Sequence, residues 1–578
     1  MKKLLLFSCS LLVFFAGCRK DFLDTKSVIT YPEPSVQIRA TIGGIIVDEN
    51  GNAVVGAHVS TGPNVAQTDL HGFFLFKDIN TDAAGSYIKI EHPSYFHGSR
   101  TVIVLPGTRN KIKVQLLSNK ATKFVDGNAG GTADYTDFSV TLPGGGIEST
   151  SGVTYIGQVC VAAKWLDPTD PDFTLRMPGQ LKGIRTDGSL SGMVSMGMLA
   201  VELTDGSGNK LQIKEGHEAT LRMKVQYTLL STAPETIPLW YFDETKGLWT
   251  EEGSAQLLNG FYEGKVKHFS FWNCDYPVTV IPVQLKVVDV NGDPVPNAAV
   301  FLTVLNSGGH GSGVTDNNGI IAAEVPENQQ FNVQIYLLDI GCSDPVLEQQ
   351  VGPFSQNEVV TFTLNTPTNV AYTITGDMVD CSGQPLSDGY VFIDEINDGV
   401  LIDNNGHFEV SIVSCLPINS ITLTGYNISD KLSSVPLALN VSGGNNNAGT
   451  ISVCNPIDSY LTYSFNSGEI LYIPTIYKTQ GPVFDTLHVN AYSINTTGYV
   501  QFRLAEAVNG TGTYTVANFY ASDELNGQNF THLCWGNCAG VTVTITKYDG
   551  PGEYIEGTFS GVFAPQVNVI GTFRGILQ

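Results

Sequence analysis

The chain is 578 residues long, with 61 glycines, 27 prolines and a formal net charge of −24. That length is too great for one hydrophobic core and predicts about four to six units of ~100 to 150 residues. The acidity is scattered along the chain rather than gathered in one run, and it argues against nucleic acid and against lying flat on an anionic membrane. Frequent Val, Thr, Tyr and Phe between Gly, Pro, Asn and Asp predict an all-β protein, a string of small antiparallel β-sandwich domains with a C-terminal β-sandwich or barrel-like domain.

Residues 1–17 read as a signal peptide. Lys2 and Lys3 precede an apolar run from Leu4 to Phe15, followed by Ala16, Gly17 and Cys18, and the run is well short of the ~20 residues that span a bilayer as a helix. A cysteine directly after Ala-Gly resembles the lipobox of bacterial lipoproteins. This resemblance implies lipidation at Cys18, which becomes the first mature residue, and a membrane partner reached through a lipid anchor at the outer membrane or cell surface. Ordinary secretion with Cys18 a free thiol is the alternative. Residues 18–35, polar and carrying Pro32 and Pro34, form the lipidated tether.

From residue 36 the pattern alternates, as where Ile112, Val114 and Leu116 interleave with Lys111, Lys113 and Gln115. One phrase then occurs three times. Asp48-Glu49-Asn50-Gly51 leads to Thr68-Asp69-Leu70-His71-Gly72-Phe73, Asp289-Val290-Asn291-Gly292 leads to Thr315-Asp316-Asn317-Asn318-Gly319-Ile320, and Asp380-Cys381-Ser382-Gly383 leads to Asp403-Asn404-Asn405-Gly406-His407-Phe408. The Asp- and Asn-rich approach to Gly supplies the positive φ of a tight turn, so Gly51, Gly292 and Gly383 are expected at equivalent structural turns. The phrase resembles the carboxypeptidase regulatory-like domain, a transthyretin-like β-sandwich of many Bacteroidetes surface proteins, over residues 36–118, 278–366 and 367–454. The third copy is the loosest, with Tyr390 standing near where the others have Ala57 and Ala298. The resemblance implies an accessory domain rather than a catalyst, with carbohydrate contact through a fold shared with starch-binding modules.

Residues 119–277 form a β-rich module. Its phrase Leu239-Trp240-Tyr241-Phe242-Asp243, Gly247-Leu248-Trp249, ending at His268-Phe269-Ser270-Phe271-Trp272-Asn273-Cys274-Asp275, resembles a module of cartilage intermediate layer proteins. No site residues come with that resemblance. Residues 455–578 form the C-terminal β domain, where Val541, Val543 and Ile545 alternate with threonines, and Glu556–Gly561 faces Gly571–Gly575 as hairpin strands. A lipocalin-like barrel holding a ligand cavity is one outcome expected there.

No catalytic residue, metal ligand or cofactor is assigned, and the chain is read as not an enzyme. Its ten histidines include no His-x-x-Glu pair, so a zinc peptidase lacks its first two ligands, and no serine has glycine at both the second position before and the second after. Converging carboxylates of a glycosidase remain the open route to catalysis. Gly308–Gly313 lacks the helix and lysine of a phosphate cradle and reads as a hairpin loop. Asp48, Asn50 and Asn52, like Asp289, Asn291 and Asp293, have calcium-like spacing but no bidentate glutamate beyond, and turn chemistry is preferred. Eight cysteines lie beyond Cys18. Cys534 and Cys538 read as a disulfide-closed loop, with a metal alternative raised by His532, and Cys160 and Cys274 are candidates to pair, while partners for Cys342, Cys381, Cys415 and Cys454 stay open. Trp240, Tyr241, Phe242 and Trp249 can stack on sugars only insofar as alternation leaves them outside the core. The expected function is a non-enzymatic lipid-anchored modular cell-surface protein acting in adhesion, envelope scaffolding or glycan handling, with a glycan or another surface protein as partner. The alternative is a carbohydrate-binding accessory lipoprotein of a polysaccharide-uptake system.

Overall fold

A computed structural model describes residues 37–576 apart from 83–84, 105–108, 297, 306–308, 317, 338–343, 366–370, 415–416, 429, 431, 457–459, 466–470, 474–475, 478–485, 493–498, 509, 524–529, 536–537, 539, 549–553 and 564–566. Several C-terminal strands are described by backbone alone. Cys18, Cys342 and Cys415 lie outside the described residues. Among those residues 46 strands stand against one α-helix, Phe173–Arg176, and no helix is long and apolar enough to cross a membrane.

Each copy of the repeated phrase folds as two packed sheets. In the first, strand Gln37–Val47 lies between Phe73–Asp82 and Arg109–Gln115, and the facing sheet runs Asn64–Gln67, His58–Thr61, Ser86–Glu91, Gly98–Val102. The second copy repeats this with Val280–Val288 between Ile320–Pro326 and Glu358–Thr363, and the third with Ala371–Val379 between His407–Val413 and Gly444–Ser452. Alternation places Ile42, Ile46, Phe74 and Val114 in the first core, Val283, Leu285, Val287 and Phe362 in the second, and Ile374, Met378, Phe408 and Ile451 in the third. The pairing is antiparallel except at one place common to all three. The first strand and the last run parallel, Val47 opposite Gln115, Val288 opposite Thr363 and Val379 opposite Ser452.

The region between the first and second copies is a single 13-stranded sheet. It curls enough to bury both faces of its central strands: Leu239 enters one core and Trp240 and Phe242 another. The C-terminal sheet has ten strands, and Gly512–Asp523 is shared between two parts of it, pairing Val541–Tyr548 along one half and Phe530–Trp535 along the other. The strands Tyr554–Phe563 and Val567–Ile576 pair as a hairpin with Glu556 opposite Arg574. Where a ligand cavity was expected, Phe502 meets Phe519, Phe559 and Phe573 at centroid distances of 6.3, 5.6 and 5.3 Å. These rings belong to the buried core of the unit.

The pairing expected for Cys160 and Cys274 does not occur: both are buried free thiols. Cys160 lies opposite Thr204, whereas Cys274 lies opposite Leu239, beyond the strand region where Met198 meets Asn273. Six residues of strand separate Thr204 from Met198, roughly 20 Å at ~3.3 Å per residue, and a disulfide needs Cα atoms within ~7 Å.

Candidate functional site: the turns and the joints between units

The polar phrase repeated within the chain is first of all a turn. Asp48 Oδ1 accepts hydrogen bonds from the backbone N–H of Asn50 and Asn52 at 2.8 and 2.9 Å, Asp289 from Asn291 and Asp293 at 2.8 and 2.9 Å, and Asp380 from Ser382 and Gln384 at 2.7 and 2.9 Å. The second aspartate of each phrase repeats this, Asp69 with His71 and Phe73, Asp316 with Asn318 and Ile320, Asp403 with Asn405 and His407. An oxygen of each carboxylate is thus committed to its own loop backbone, the short-range bonding that makes Asp a turn former. Among the described residues no group of three or more His, Cys, Asp or Glu side chains is placed to hold a metal ion.

Gly51, Gly292 and Gly383 have φ of +82°, +88° and +78°, with nothing within 4 Å of where a Cβ would stand. The glycines closing the second turn are held more tightly. A Cβ on Gly72, Gly319 or Gly406 would lie 2.2, 2.3 and 2.3 Å from the carbonyl oxygens of Ile46, Val287 and Met378. Each glycine carbonyl in turn accepts the N–H of that same first-strand residue at 2.7–2.8 Å. This close approach was not singled out by sequence, although the recurrence of glycine at one offset in all three phrases was its signal.

The aromatic phrase of the central module builds a joint. Trp240 and Trp249 are fully buried and Phe242 nearly so, in a cluster that takes in Phe96 and Leu117 of the first repeat. Trp240 Nε1 donates to the Asp275 carbonyl at 2.9 Å, and Tyr241, on the other face, packs against His268 and Trp272. Trp240, Phe242 and Trp249 thus present no free ring face of the kind a sugar requires, while Tyr241 is half-buried. Polar contacts surround the joint: Lys164 with Glu49 at 2.8 Å, and Lys89 and His97 with Glu244 at 3.1 and 2.9 Å. Burial opposes ionisation of Glu244, but the hydrogen bond and charge of His97 and the charge of Lys89 outweigh it and hold the carboxyl at about 2.

A second joint connects units far apart in sequence. Ile45, Val47 and Phe73 of the first repeat pack with Tyr390, Phe392 and Leu401 of the third. Tyr390 donates its hydroxyl to Asp69 Oδ2 at 2.5 Å, His71 Nε2 is 3.0 Å from the Tyr426 hydroxyl, and the His71 ring stacks on Phe392 at 3.8 Å between centroids. Lys111 pairs with Asp398 at the rim. Burial pushes Asp69 up to about 6 against the bonds that favour its charge, and the same burial lowers His71 to about 4. Tyr390, which departs from the small residues of the other copies, is therefore a contact residue of this joint.

The glycine-rich stretch also serves packing. Residues 306–308 are outside the described part, but His310–Val314 is an edge strand paired with Ala298–Val304, and His310 Nδ1 is 3.0 Å from the Thr303 hydroxyl. A Cβ at Gly309 would lie 2.6 Å from Val194 Cγ1 of the central module, Ser312 contacts Thr174, and Lys182 reaches Glu324 at 3.2 Å. Beside this contact is a recess of about 310 Å³ lined by Val194, Tyr276 and Val278 on one side and Val304, Pro326 and Gln329 on the other. In the C-terminal unit Cys538 is disulfide-bonded, and the Cys534 side chain lies outside the described residues.

No family model matches the chain. It is 29% identical over 123 residues to cartilage intermediate layer protein 2 of Mus musculus, a match covering 21% of this chain and 10% of that protein. The Homo sapiens protein of the same name is 28% identical over 114 residues, 20% of this chain and 10% of its own length. The chain thus spans about a tenth of these curated relatives. Among solved structures, the shaft pilin SpaA of Lactobacillus rhamnosus GG matches 31% of this chain and 98% of its own at 10% identity with a TM-score of 0.17, and the major pilin subunit BcpA of Bacillus cereus matches 57% and 100% at 10% identity with a TM-score of 0.13.

Proposed function

We propose that the chain is a non-enzymatic modular surface protein, held to a membrane by lipid on Cys18, that acts in adhesion or envelope scaffolding. The observation that carries this reading is the use of the chain's most distinctive residues. The aspartates of the repeated phrase bond their own turns, and the aromatic and glycine-rich stretches close the joints between units. Such an arrangement builds an acidic, multi-unit body in which these residues are committed to turns and packing rather than to one reacting group. The lipid supplies attachment, since ~0.8 kcal/mol per buried methylene makes one acyl chain marginal and several stable. The test is membrane fractionation of the Cys18→Ala variant. The parent should sediment with membranes and resist salt washing while the variant becomes soluble, and a variant that still sediments would rule the anchor out.

A second reading, a carbohydrate-binding accessory of polysaccharide uptake, draws on one feature. Tyr227 is 85% exposed, two residues past Val225, whose N–H bonds the Gly260 carbonyl in the turn between Leu248–Leu258 and Phe261–Val266, and Leu258 is 50% exposed. An exposed aromatic ring is the platform that sugar stacking uses. A glycan array with the parent and Tyr227→Ala tests it: binding by the parent that the variant loses favours this reading, and no binding by the parent removes it.

A further inference from the structure

The parallel first and last strands of each repeat leave their sheet together, so the residues just past the final paired rung are neighbours in all three copies. In the first repeat Val47 pairs with Gln115 and Leu116 N donates to Val47 O at 2.8 Å, and one step further stand Glu49 and Leu117. The second repeat, with Val288 opposite Thr363 and Leu364 N bonded to Val288 O, places Val290 and Asn365 there. The third, with Val379 opposite Ser452 and Val453 N bonded to Val379 O at 2.9 Å, places Cys381 and Cys454. Only in the third copy are both positions cysteine. Laterally paired strands lie ~4.8 Å apart, inside the ~4.4–6.8 Å Cα range that a disulfide bridges.

We propose that Cys381 and Cys454 form an oxidative cross-link that clasps the exit ends of the third sandwich's first and last strands, immediately before the C-terminal unit. The two cysteines sit side by side in the register. Cys381 Sγ lies 3.9 Å from the carbonyl oxygen of Val453, the residue before Cys454, and the neighbouring Cys381 thiol, with slight burial, pushes Cys454 up to about 11. Cys381 is exposed and Cys454 half-exposed, so a reagent reaches the pair, whereas Cys160 and Cys274 are shut inside the central module.

The oxidant is a disulfide, small or protein-borne, of the kind an exporting compartment supplies. The Cys381 thiol loses its proton, and its sulfur attacks one sulfur of R–S–S–R. The S–S bond breaks, a mixed disulfide forms, and the leaving thiolate takes up that proton as RSH. Cys454 then loses its proton and attacks the Cys381 sulfur, and the second R–S⁻ leaves and is protonated in turn. Two protein thiols are oxidised by two electrons, and one disulfide is reduced to two RSH. The bond closes a loop containing nearly the whole sandwich, and closing a long loop removes much of the unfolded chain's freedom.

The test uses the full chain treated with oxidised glutathione, alkylated, digested without reductant and analysed by mass spectrometry. The expected result is a peptide pair joined through Cys381 and Cys454, lighter by two hydrogen atoms than the reduced pair and lost on reduction. Cys381→Ser should leave Cys454 newly open to alkylation, and Cys454→Ser should do the same for Cys381. On the unmutated chain, oxidation should raise the melting transition of the third repeat by about 10 °C or more relative to the reduced form. Full alkylation of both thiols after oxidation, or a link from either to another cysteine, overturns the assignment. A linked pair with an unshifted transition overturns the clasp.

Discussion

Gly319 and Gly292 sit in consecutive turns of one repeat, yet they should respond differently to the same change. At Gly292 an added methyl meets open space, so Gly292→Ala carries only the strain of a positive φ, ~1 kcal/mol. At Gly319 the same strain is joined by a collision with the Val287 carbonyl at 2.3 Å, and backbone cannot yield as a side-chain tip does, so Gly319→Ala should cost about 3 kcal/mol or more. Urea denaturation of the two variants checks the order, and equal losses would contradict the close-approach argument. The need for positive φ was legible in Asp-x-x-Gly, because that need is local. The collision was not, since the carbonyl belongs to a strand that reaches Gly319 only through the fold. The cysteines divide in the same way: a count of eight says that bonds are available, while only the pairing of strands shows that Cys160 is remote from Cys274 and Cys381 is beside Cys454.

The joint between the first and third repeats places two oppositely shifted groups in one buried patch. Asp69 rises from 3.8 to about 6, so its contribution is full below 3.8 and is lost as pH rises through 6; His71 falls from 6.5 to about 4, so its contribution is full above 6.5 and is lost as pH falls through 4. Between about pH 4 and 6 the two slopes oppose one another, each with an amplitude of ~3 kcal/mol. Relative to the parent, Asp69→Asn should therefore gain stability as pH rises across that window and His71→Gln should lose it. Melting curves at several pH values check both signs. The aromatic phrase of the central module makes a related point. Alternation identified a strand and required that half its rings be core, but it could not show that the other half would be packed against as well, because those contacts come from Phe96 and Leu117 in the first repeat and, for the half-buried Tyr241, from His268 and Trp272 in the curled sheet itself. Trp240→Ala should cost ~3–5 kcal/mol by emptying a packed site and leave any glycan binding unchanged. Loss of binding at full stability would return Trp240 to the surface.

As a whole the chain is a string of small β units, as its spacing of turns and strands implied, but the string doubles back. Hydrogen-bonded residues of the first and third repeats are 355 positions apart in sequence at His71 and Tyr426, and a chain read in order carries no signal for a contact of that span. Phe392→Asp, which puts a charge into this apolar joint, should part the two repeats because a buried unpaired charge costs several kcal/mol. Small-angle X-ray scattering should then report a larger radius of gyration, and an unchanged radius with the repeats still folded would mean that other contacts hold the bend. The parallel pairing of first and last strands has a mechanical consequence under the proposed anchoring, in which one end of the protein is tied down. In each repeat tension enters at the start of Gln37–Val47, Val280–Val288 or Ala371–Val379 and leaves at the end of its parallel neighbour. The two strands are thereby pulled past one another along their length, and the hydrogen bonds between them share the load as a set. Strands peeled apart from one end would surrender the same bonds one after another at much lower force, so this strand order makes each repeat resistant to tension applied between the start of its first strand and the end of its last.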